Sequence, residues 1–296
     1  MKNRTFILNY YLMLIPGLVL LILFSVVPML GVAIAFQDFN SGLGLWRSEW
    51  VGLDNFNYMF QLSDSRVIFI NTISLAVMKI IANLIVPLVF ALLLNEVRKK
   101  AFKRFVQTVV YLPHFLSWVI LAGILTDMFS YHGLVNQLFG AFGFEPVLFL
   151  ASNTWFPAIL VSSDVWKEFG FNTIIYLAAL TGINSSLYEA AAIDGAGRGE
   201  QLWHITLPGI RPTIVLLATL SLGNVLNAGF DQIYNMYNPL VYSSSDIIDT
   251  YVYRVGLLDV QYGLATAVGL LKSIVSLILI GISYTLASKF ANYRIF

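Results

Sequence analysis

From residue 5 to residue 37 the chain carries no charged side chain. A stretch this long and apolar has few places to go. A helix needs about 20 apolar residues to cross the hydrocarbon core of a bilayer, whereas the apolar core of a cleaved signal sequence is about 7–15 residues. The run therefore reads as a retained first membrane helix, kinked or bounded at Pro16 and Pro28, which membrane helices tolerate. Composition agrees: 58% of residues are hydrophobic and 11% charged, where a soluble domain carries about 25% charged. So few charges cannot cover a water-facing surface, and part of the solvent must be lipid.

Six segments are long and apolar enough to span: 10–36, 69–94, 107–130, 157–181, 212–230 and 262–288. The expected fold is all-α, a polytopic membrane protein read as one transmembrane domain over residues 1–296. Orientation follows from lysine and arginine in the connections, which favour the cytoplasmic side. Lys2, Arg4, Arg98, Lys99, Lys100, Lys103, Arg104, Arg198, Arg211, Lys289 and Arg294 fall on one side, against Arg47, Arg66 and Arg254 on the other. Both termini are thus expected in the cytoplasm. The chain has no cysteine, so disulfides and thiolate metal sites are excluded. His114, His132 and His204 lie too far apart in sequence to suggest a metal cluster, and a net charge of +1 gives no sign of a nucleic-acid partner.

The long cytoplasmic connection, residues 182–211, is only mildly charged. Ser186 and Glu189 have the spacing of a capping box, which predicts a short helix through Ala190, Ala191 and Ala192. Gly195 can end it in a left-handed conformation. A second short turn is expected from Gly199 towards Ile205, with Pro208 opening the next membrane helix. A helix this short is marginal in water by itself, so it is either a linker lying on the membrane or a contact for another protein.

The loop resembles the EAA motif of binding-protein-dependent ABC importer permeases. That motif is Glu-Ala-Ala, three residues, Gly, nine residues, Ile, one residue, then Leu-Pro; here these are Glu189-Ala190-Ala191, Gly195, Ile205 and Leu207-Pro208. PHFLSWVILAGI (113–124), DVWKEFGFNTIIYLAAL (164–180), GFDQIYNMYNPLVY (229–242), DIIDTYVYRVGL (246–257) and GLDNF (52–56) look like the branch that imports oligosaccharides and polysaccharide fragments. The likeness covers roughly residues 10–290. It implies the type I importer permease fold in a bacterial cytoplasmic membrane, with residues 189–197 (Glu189, Ala190, Ala191, Asp194, Gly195, Ala196 and Gly197 among them) forming a coupling helix and turn that dock on a cytoplasmic ATPase. It further implies a second related permease chain, two ATPase chains (identical or not) and an extracytoplasmic solute-binding protein. No Walker A sequence occurs in these residues. GAGRG (195–199) follows a helix rather than a strand and lacks Lys-Ser/Thr, so it does not make a phosphate cradle. No cofactor is expected on this chain; the resemblance puts ATP and Mg on the partner ATPases.

Sugars present apolar faces and many hydroxyls, which aromatic and amide-bearing segments can meet. Asn224, Asn227, Asp231, Gln232, Tyr234 and Asn235 form such a segment, running from inside the fifth span to the outer side. Asn224 and Asn227 are spaced for one helical face, facing either a pathway or another helix. Tyr234 and Tyr237 also fit an aromatic interface belt. Asp164, Trp166, Lys167 and Glu168 add charge and an indole near the outer end of the fourth span, for substrate contact or for structure. Lys79 and Lys272 are costly at the bilayer centre and should face the protein interior or snorkel to the interface, with pairing inside the protein the favoured expectation. Two other classes fit parts of this picture. An ion-coupled transporter would use Asp127, Asp164 or Glu168, but leaves the EAA loop without a role and shows no inverted repeat. A membrane-embedded enzyme would need a converging nucleophile and base, or metal ligands, and none is evident.

Overall fold

The computed structural model describes the backbone of residues 2–290 and the side chains of residues 9–285. The side chains of Lys2, Arg4, Lys289 and Arg294, and the last residues, lie outside it. The chain divides into two compact units, residues 1–65 with 251–271 and residues 66–250 with 272–296.

In the first unit, helix α1 (Lys2–Leu21) continues through a π-helical turn (Ile22–Val26) into a 3-10 segment (Val27–Phe36). The change of winding comes just before Pro28, whose missing N–H and ring bulk disturb regular α geometry. Large apolar side chains stand outward along this helix, Met13 at 82% and Phe24 at 75% exposure, a surface suited to hydrocarbon and not to water. Strands β1 (Gln37–Asp38) and β2 (Glu49–Trp50) pair antiparallel, Gln37 opposite Trp50. They are followed by helix α2 (Asp54–Gln61). Asn55, in the GLDNF segment, donates to the carbonyls of Ala35 and Gln37 (both 3.0 Å). It thereby satisfies the end of the first span, which has no further helical turn to do so.

The second unit is built around α7 (Trp155–Thr181). Before it come α3 (Ser63–Asn95, in this unit from Arg66), α4 (Lys100–Tyr111), α5 (Trp118–Phe129) and α6 (Leu134–Ala141); after it come α8 (Ser185–Ile193), α9 (Arg198–Gln201), α10 (Leu207–Leu222), α11 (Phe230–Met236), α12 (Tyr242–Ser245), the start of α13 (Ile248–Tyr253) up to Thr250, and α14 (Tyr262–Phe290) from Lys272, the rest of these last two helices belonging to the first unit. One apolar cluster joins Leu75 and Ala76 of α3, Leu125 of α5, Phe156 and Leu160 of α7 and Ile233 of α11; another joins Ala91, Tyr176, Leu180 and Ile210. At Gly170 of α7 the backbone of α4 comes so close that a β-carbon would lie 2.2 Å from the Val110 carbonyl oxygen. Near Pro87 in α3, Tyr176 OH donates to the Leu84 carbonyl (3.2 Å), so α7 supplies a donor where proline disturbs the ladder, while Thr173 Oγ1 donates to the Phe169 carbonyl of its own helix (2.6 Å).

Among the described residues five helical stretches are long and apolar enough to cross a membrane: Asn9–Phe36, Ser63–Asn95, Trp118–Ala141, Arg198–Leu222 and Tyr262–Thr285. The fourth expected span coincides with α7, which is 27 residues long but carries Asp164, Lys167 and Glu168. Two expectations are corrected. Residues 107–130 do not form one helix: α4 gives way to a 3-10 turn at Leu112–Phe115, and α5 starts afresh after Ser117, whose Oγ accepts from Ile120 N (3.4 Å). Pro113 lies within the turn. The stretch expected at 212–230 begins earlier, at Arg198, and ends at Leu222. Pro208 stands in the first turn of α10 as expected, but a π-helical turn at Leu202–Thr206 already leads into it, so the helical stretch begins before the proline.

Candidate functional site

Two places in the second unit gather the polar groups singled out from the sequence. The first is the loop containing the EAA motif. Helix α8 starts at an Asn184 cap, whose Oδ1 accepts from Ser186 N (3.0 Å). Ser186 is therefore the second residue of the helix and not its cap, because the amide one step earlier reaches the free N–H groups. The helix ends as expected at Gly195, φ +84. Ala196 N donates to the Ala191 carbonyl (2.8 Å) and Gly195 N to that of Ala192 (3.2 Å), the paired bonds of a Schellman turn. Past the turn, Gly197 N donates to Glu200 Oε2 (2.7 Å), which starts α9. Tyr188 OH and Thr206 Oγ1 bond at 2.9 Å, and Gly209 lets the backbone of α10 approach Ile183, whose Cδ1 would lie 2.9 Å from a β-carbon there. The hairpin is thus tied to the α10 helix at two levels.

Between the arms of this hairpin lies a hollow of about 350 Å³ lined by Ala191, Asp194, Gly195, Ala196, Glu200, Gln201, His204 and Ile205. Glu189, Ala190, Asp194, Gly195 and Gly197 are exposed, and Ala191 and Ala196 half-buried. Ile193 and Trp203 are 86% and 69% exposed. Uncovered apolar side chains beside a polar hollow are what a protein partner needs. The ion pair Arg198–Glu96 (3.5 Å) is exposed at both ends and contributes little.

The second place is a cleft of about 230 Å³ bordered by α3, α7 and the segment after α10. Asp164, Glu168 and Asn172 of α7 are spaced four apart, and face Lys79 and Asn83 of α3 with Ser221, Asn224 and Asn227. Asn83 Nδ2 donates to Asp164 Oδ2 (2.8 Å), and Lys79 Nζ lies 3.4 Å from Asp164 Oδ1. Asn83 Oδ1 is a buried acceptor without a hydrogen-bond partner. Glu168 takes bonds from Lys167 (3.1 Å) and pairs with His114 Nδ1 (2.8 Å). Neither carboxylate of the 164/168 pair is thus left as a bare like charge. The outcome is amides and partly neutralised carboxylates around a small polar space.

Four of the expected pathway residues meet here: Asp164, Glu168, Asn224 and Asn227. The two asparagines sit in a non-helical segment, since α10 ends at Leu222; they are brought together by a turn, with Asn227 Nδ2 3.4 Å from Asn224 Oδ1. Lys167 is buried behind the cleft and bonds the His114 carbonyl. Gln232 is wholly buried beneath it, donating to the Leu160 carbonyl (2.7 Å) and Ser163 Oγ (2.8 Å). Trp166, Asp231, Tyr234 and Asn235 do not line it; Tyr234 stacks on Phe230 (5.3 Å) and Asn235 bonds the Asp231 carbonyl (2.7 Å). Lys79 and Lys272 are paired as expected, Lys272 with Asp249 at 2.5 Å. Asn83, Asn172 and Ser221 were not singled out, although Asn83 is four residues after Lys79 and Asn172 four after Glu168, a polar stripe on otherwise apolar helices.

A model of the family "binding-protein-dependent transport system inner membrane component" matches residues 83–292, a span that takes in the hairpin and the cleft residues from Asn83 onward. The chain belongs to that family. This transport-system component is 46% identical to Protein LplB of Bacillus subtilis over 287 residues, 97% of this chain and 90% of the relative. It is 44% identical to the polygalacturonan/rhamnogalacturonan transport system permease protein YteP of the same species, over 97% of this chain and 89% of the relative. Among solved structures it is similar to a chain of a bacterial ABC transporter involved in the import of the acidic polysaccharide alginate, with TM-score 0.90, 37% identity and 98% of each chain covered. A second alginate transporter structure, in complex with an alginate pentasaccharide-bound periplasmic protein, matches with TM-score 0.90 and 36% identity over 99% of each chain. The protein is a multi-pass membrane permease of the ABC importer type, a transporter component and not itself an enzyme. The ion-coupled alternative finds no support among these relatives.

Proposed function

We propose that this permease carries oligosaccharides inward, with uronate-containing oligomers the first class to test, after their delivery by an extracytoplasmic solute-binding protein. One observation carries the reading. The EAA residues fold into a tied hairpin whose outer side offers a polar hollow beside exposed Ile193 and Trp203, and a hairpin anchored to α10 can pass a partner's motion into the membrane as a lever. Its partner is a cytoplasmic ATPase that holds ATP and Mg; two such chains and a second related permease complete the assembly. Glu189 makes the polar contact with the ATPase, Ala190 and Ala191 allow close approach, and Gly195 sets the turn. Both termini then lie in the cytoplasm. The cleft at Asp164, Glu168, Asn224 and Asn227 offers sugar hydroxyls amide and carboxylate partners. Names of relatives that include polygalacturonan, rhamnogalacturonan and alginate support the substrate class.

The test is uptake into proteoliposomes holding the permease, its second permease chain and its ATPases, with binding protein outside. Labelled alginate and galacturonan oligosaccharides are offered with ATP inside. Uptake that requires internal ATP is expected. Uptake driven by a proton or sodium gradient in ATPase-free vesicles would overturn the reading.

A further inference from the structure

Two of the expected spans are interrupted, and a buried lysine stands at each interruption. Between α4 and α5 the backbone leaves helical geometry at Leu116 and Ser117; between α10 and α11 it does so before Gly229. In a lipid setting a backbone carbonyl without a donor is costly, so interrupted helices persist only where something re-satisfies them. At the first break Lys167 Nζ donates to the His114 carbonyl (2.8 Å). At the second, Lys79 Nζ donates to the Ala228 carbonyl (2.7 Å). Each ammonium is also paired with a carboxylate of α7, Lys167 with Glu168 and Lys79 with Asp164.

The same arrangement thus occurs twice: a freed carbonyl, an ammonium, and a carboxylate from one shared helix. Lysine suits the position because its three donors can serve the carbonyl and the carboxylate together. Both lysines are almost wholly buried. Each has further support. Gln232 Oε1 accepts from Lys79 while its amide nitrogen is held by Leu160 and Ser163. His114 bonds Glu168 and stacks on Phe171 with ring centroids 4.1 Å apart. Gly229, at φ +96, leaves space for the ammonium; a β-carbon there would come within 2.8 Å of Lys79 Nζ.

We propose that Lys79 and Lys167 are positioning residues, each clamping one interrupted span to α7, and that the Lys79 clamp sets the placement of Asn224 and Asn227 at the cleft. The two clamps act separately: each governs its own break. The assignment of the cleft to sugar matters only for the consequence in transport; backbone exchange reports the clamps whether or not sugar passes there.

Hydrogen–deuterium exchange is measured on the full chain with its co-purified partners in lipid nanodiscs. Lys79→Met should raise exchange across residues 223–236 by about tenfold, the equivalent of losing one buried hydrogen bond, and leave residues 112–120 unchanged. Lys167→Met should do the reverse. Because either single change leaves a carboxylate unpaired in the membrane, the charge-free doubles Lys79→Met/Asp164→Asn and Lys167→Met/Glu168→Gln are measured beside them. The doubles should loosen the same break as the corresponding single change, since the carbonyl still lacks its donor. Exchange that rises at both breaks in every variant, or at neither, overturns the proposal; the first marks a general structural role and the second no role at all.

Discussion

Replacing Gly195 by alanine adds one methyl group to an exposed turn, and the structure says what that methyl does. A β-carbon at this position meets nothing within 4 Å, so there is no clash to relieve. The penalty is conformational: the residue sits at φ +84, and a left-handed backbone puts an L side chain too close to the following carbonyl, at about 1–2 kcal/mol. Alanine also stiffens the unfolded chain, which favours folding by about 0.4–1 kcal/mol where the conformation is compatible; here it is not, and a net loss of about 1 kcal/mol remains. That lowers the ratio of closed to open turn about fivefold. The bonds at stake are Ala196 N to the Ala191 carbonyl and Gly195 N to that of Ala192, so opening the turn swings α8 away from α9 and spreads the hollow between them. The assay is sugar taken up per ATP hydrolysed by the reconstituted importer. Gly195→Ala should lower this ratio severalfold. Gly195→Asn should fall between alanine and wild type, because asparagine visits the left-handed region more readily. Gly199→Ala is the control. It lies in α9 without a positive φ and with open space around it, so coupling should be unchanged. Equal behaviour of alanine, asparagine and glycine at position 195, or equal damage from Gly199→Ala, would refute this account of the turn.

Gly170→Ala should be far more harmful, since its β-carbon would lie 2.2 Å from the Val110 carbonyl oxygen; α4 and α7 must part, and the thermal midpoint in detergent should drop by several degrees, about 1–3 kcal/mol of overpacking or more. Asn136→Ala should also lower the midpoint. Its buried amide donates to the carbonyls of Ser130 (3.0 Å) and Val147 (2.9 Å) and accepts from Val147 N (2.8 Å), so unsatisfied groups costing about 1–3 kcal/mol each remain. Asn227→Leu should raise the KM for sugar uptake while leaving basal ATP hydrolysis alone, if the cleft touches sugar; an unchanged KM removes Asn227 from the pathway. Reporter fusions at either terminus should be active only as cytoplasmic reporters, and a periplasmic signal from one of them reverses the orientation drawn from the arginine and lysine distribution.

The membrane class, the EAA hairpin and the turn at Gly195 were legible because each rests on a local pattern: an apolar run, a spacing, a residue that tolerates positive φ. The two interruptions were hidden by the same logic. Residues 107–130 contain hardly a charge, so hydropathy reads one span, yet Pro113 removes a ladder donor and Ser117 restarts the helix with its own cap. Gly223 and Gly229 gave a comparable hint around Asn224 and Asn227. Ser186 looked like the cap of α8 because its spacing to Glu189 was right, but Asn184 competes for the same free N–H groups and wins. The cleft could be read only in part. The charges of α7 stood out, whereas their partners come from tertiary packing: Lys79 and Asn83 lie on α3, more than seventy residues earlier. For Gln232, sequence spoke for the pathway and the structure places the amide under the cleft, because an amide can satisfy Lys79, Leu160 and Ser163 at once.

The most direct test of the central claim is ATP hydrolysis by the reconstituted assembly, with and without sugar-loaded binding protein, for the wild-type permease and for Glu189→Lys. A permease coupled through the α8 hairpin predicts hydrolysis stimulated by the loaded binding protein in the wild type. Stimulation should be lost in Glu189→Lys, with the ATPase either still bound or released at that contact alone. Stimulation that persists unchanged in Glu189→Lys, or a chain that never associates with an ATPase, would contradict it.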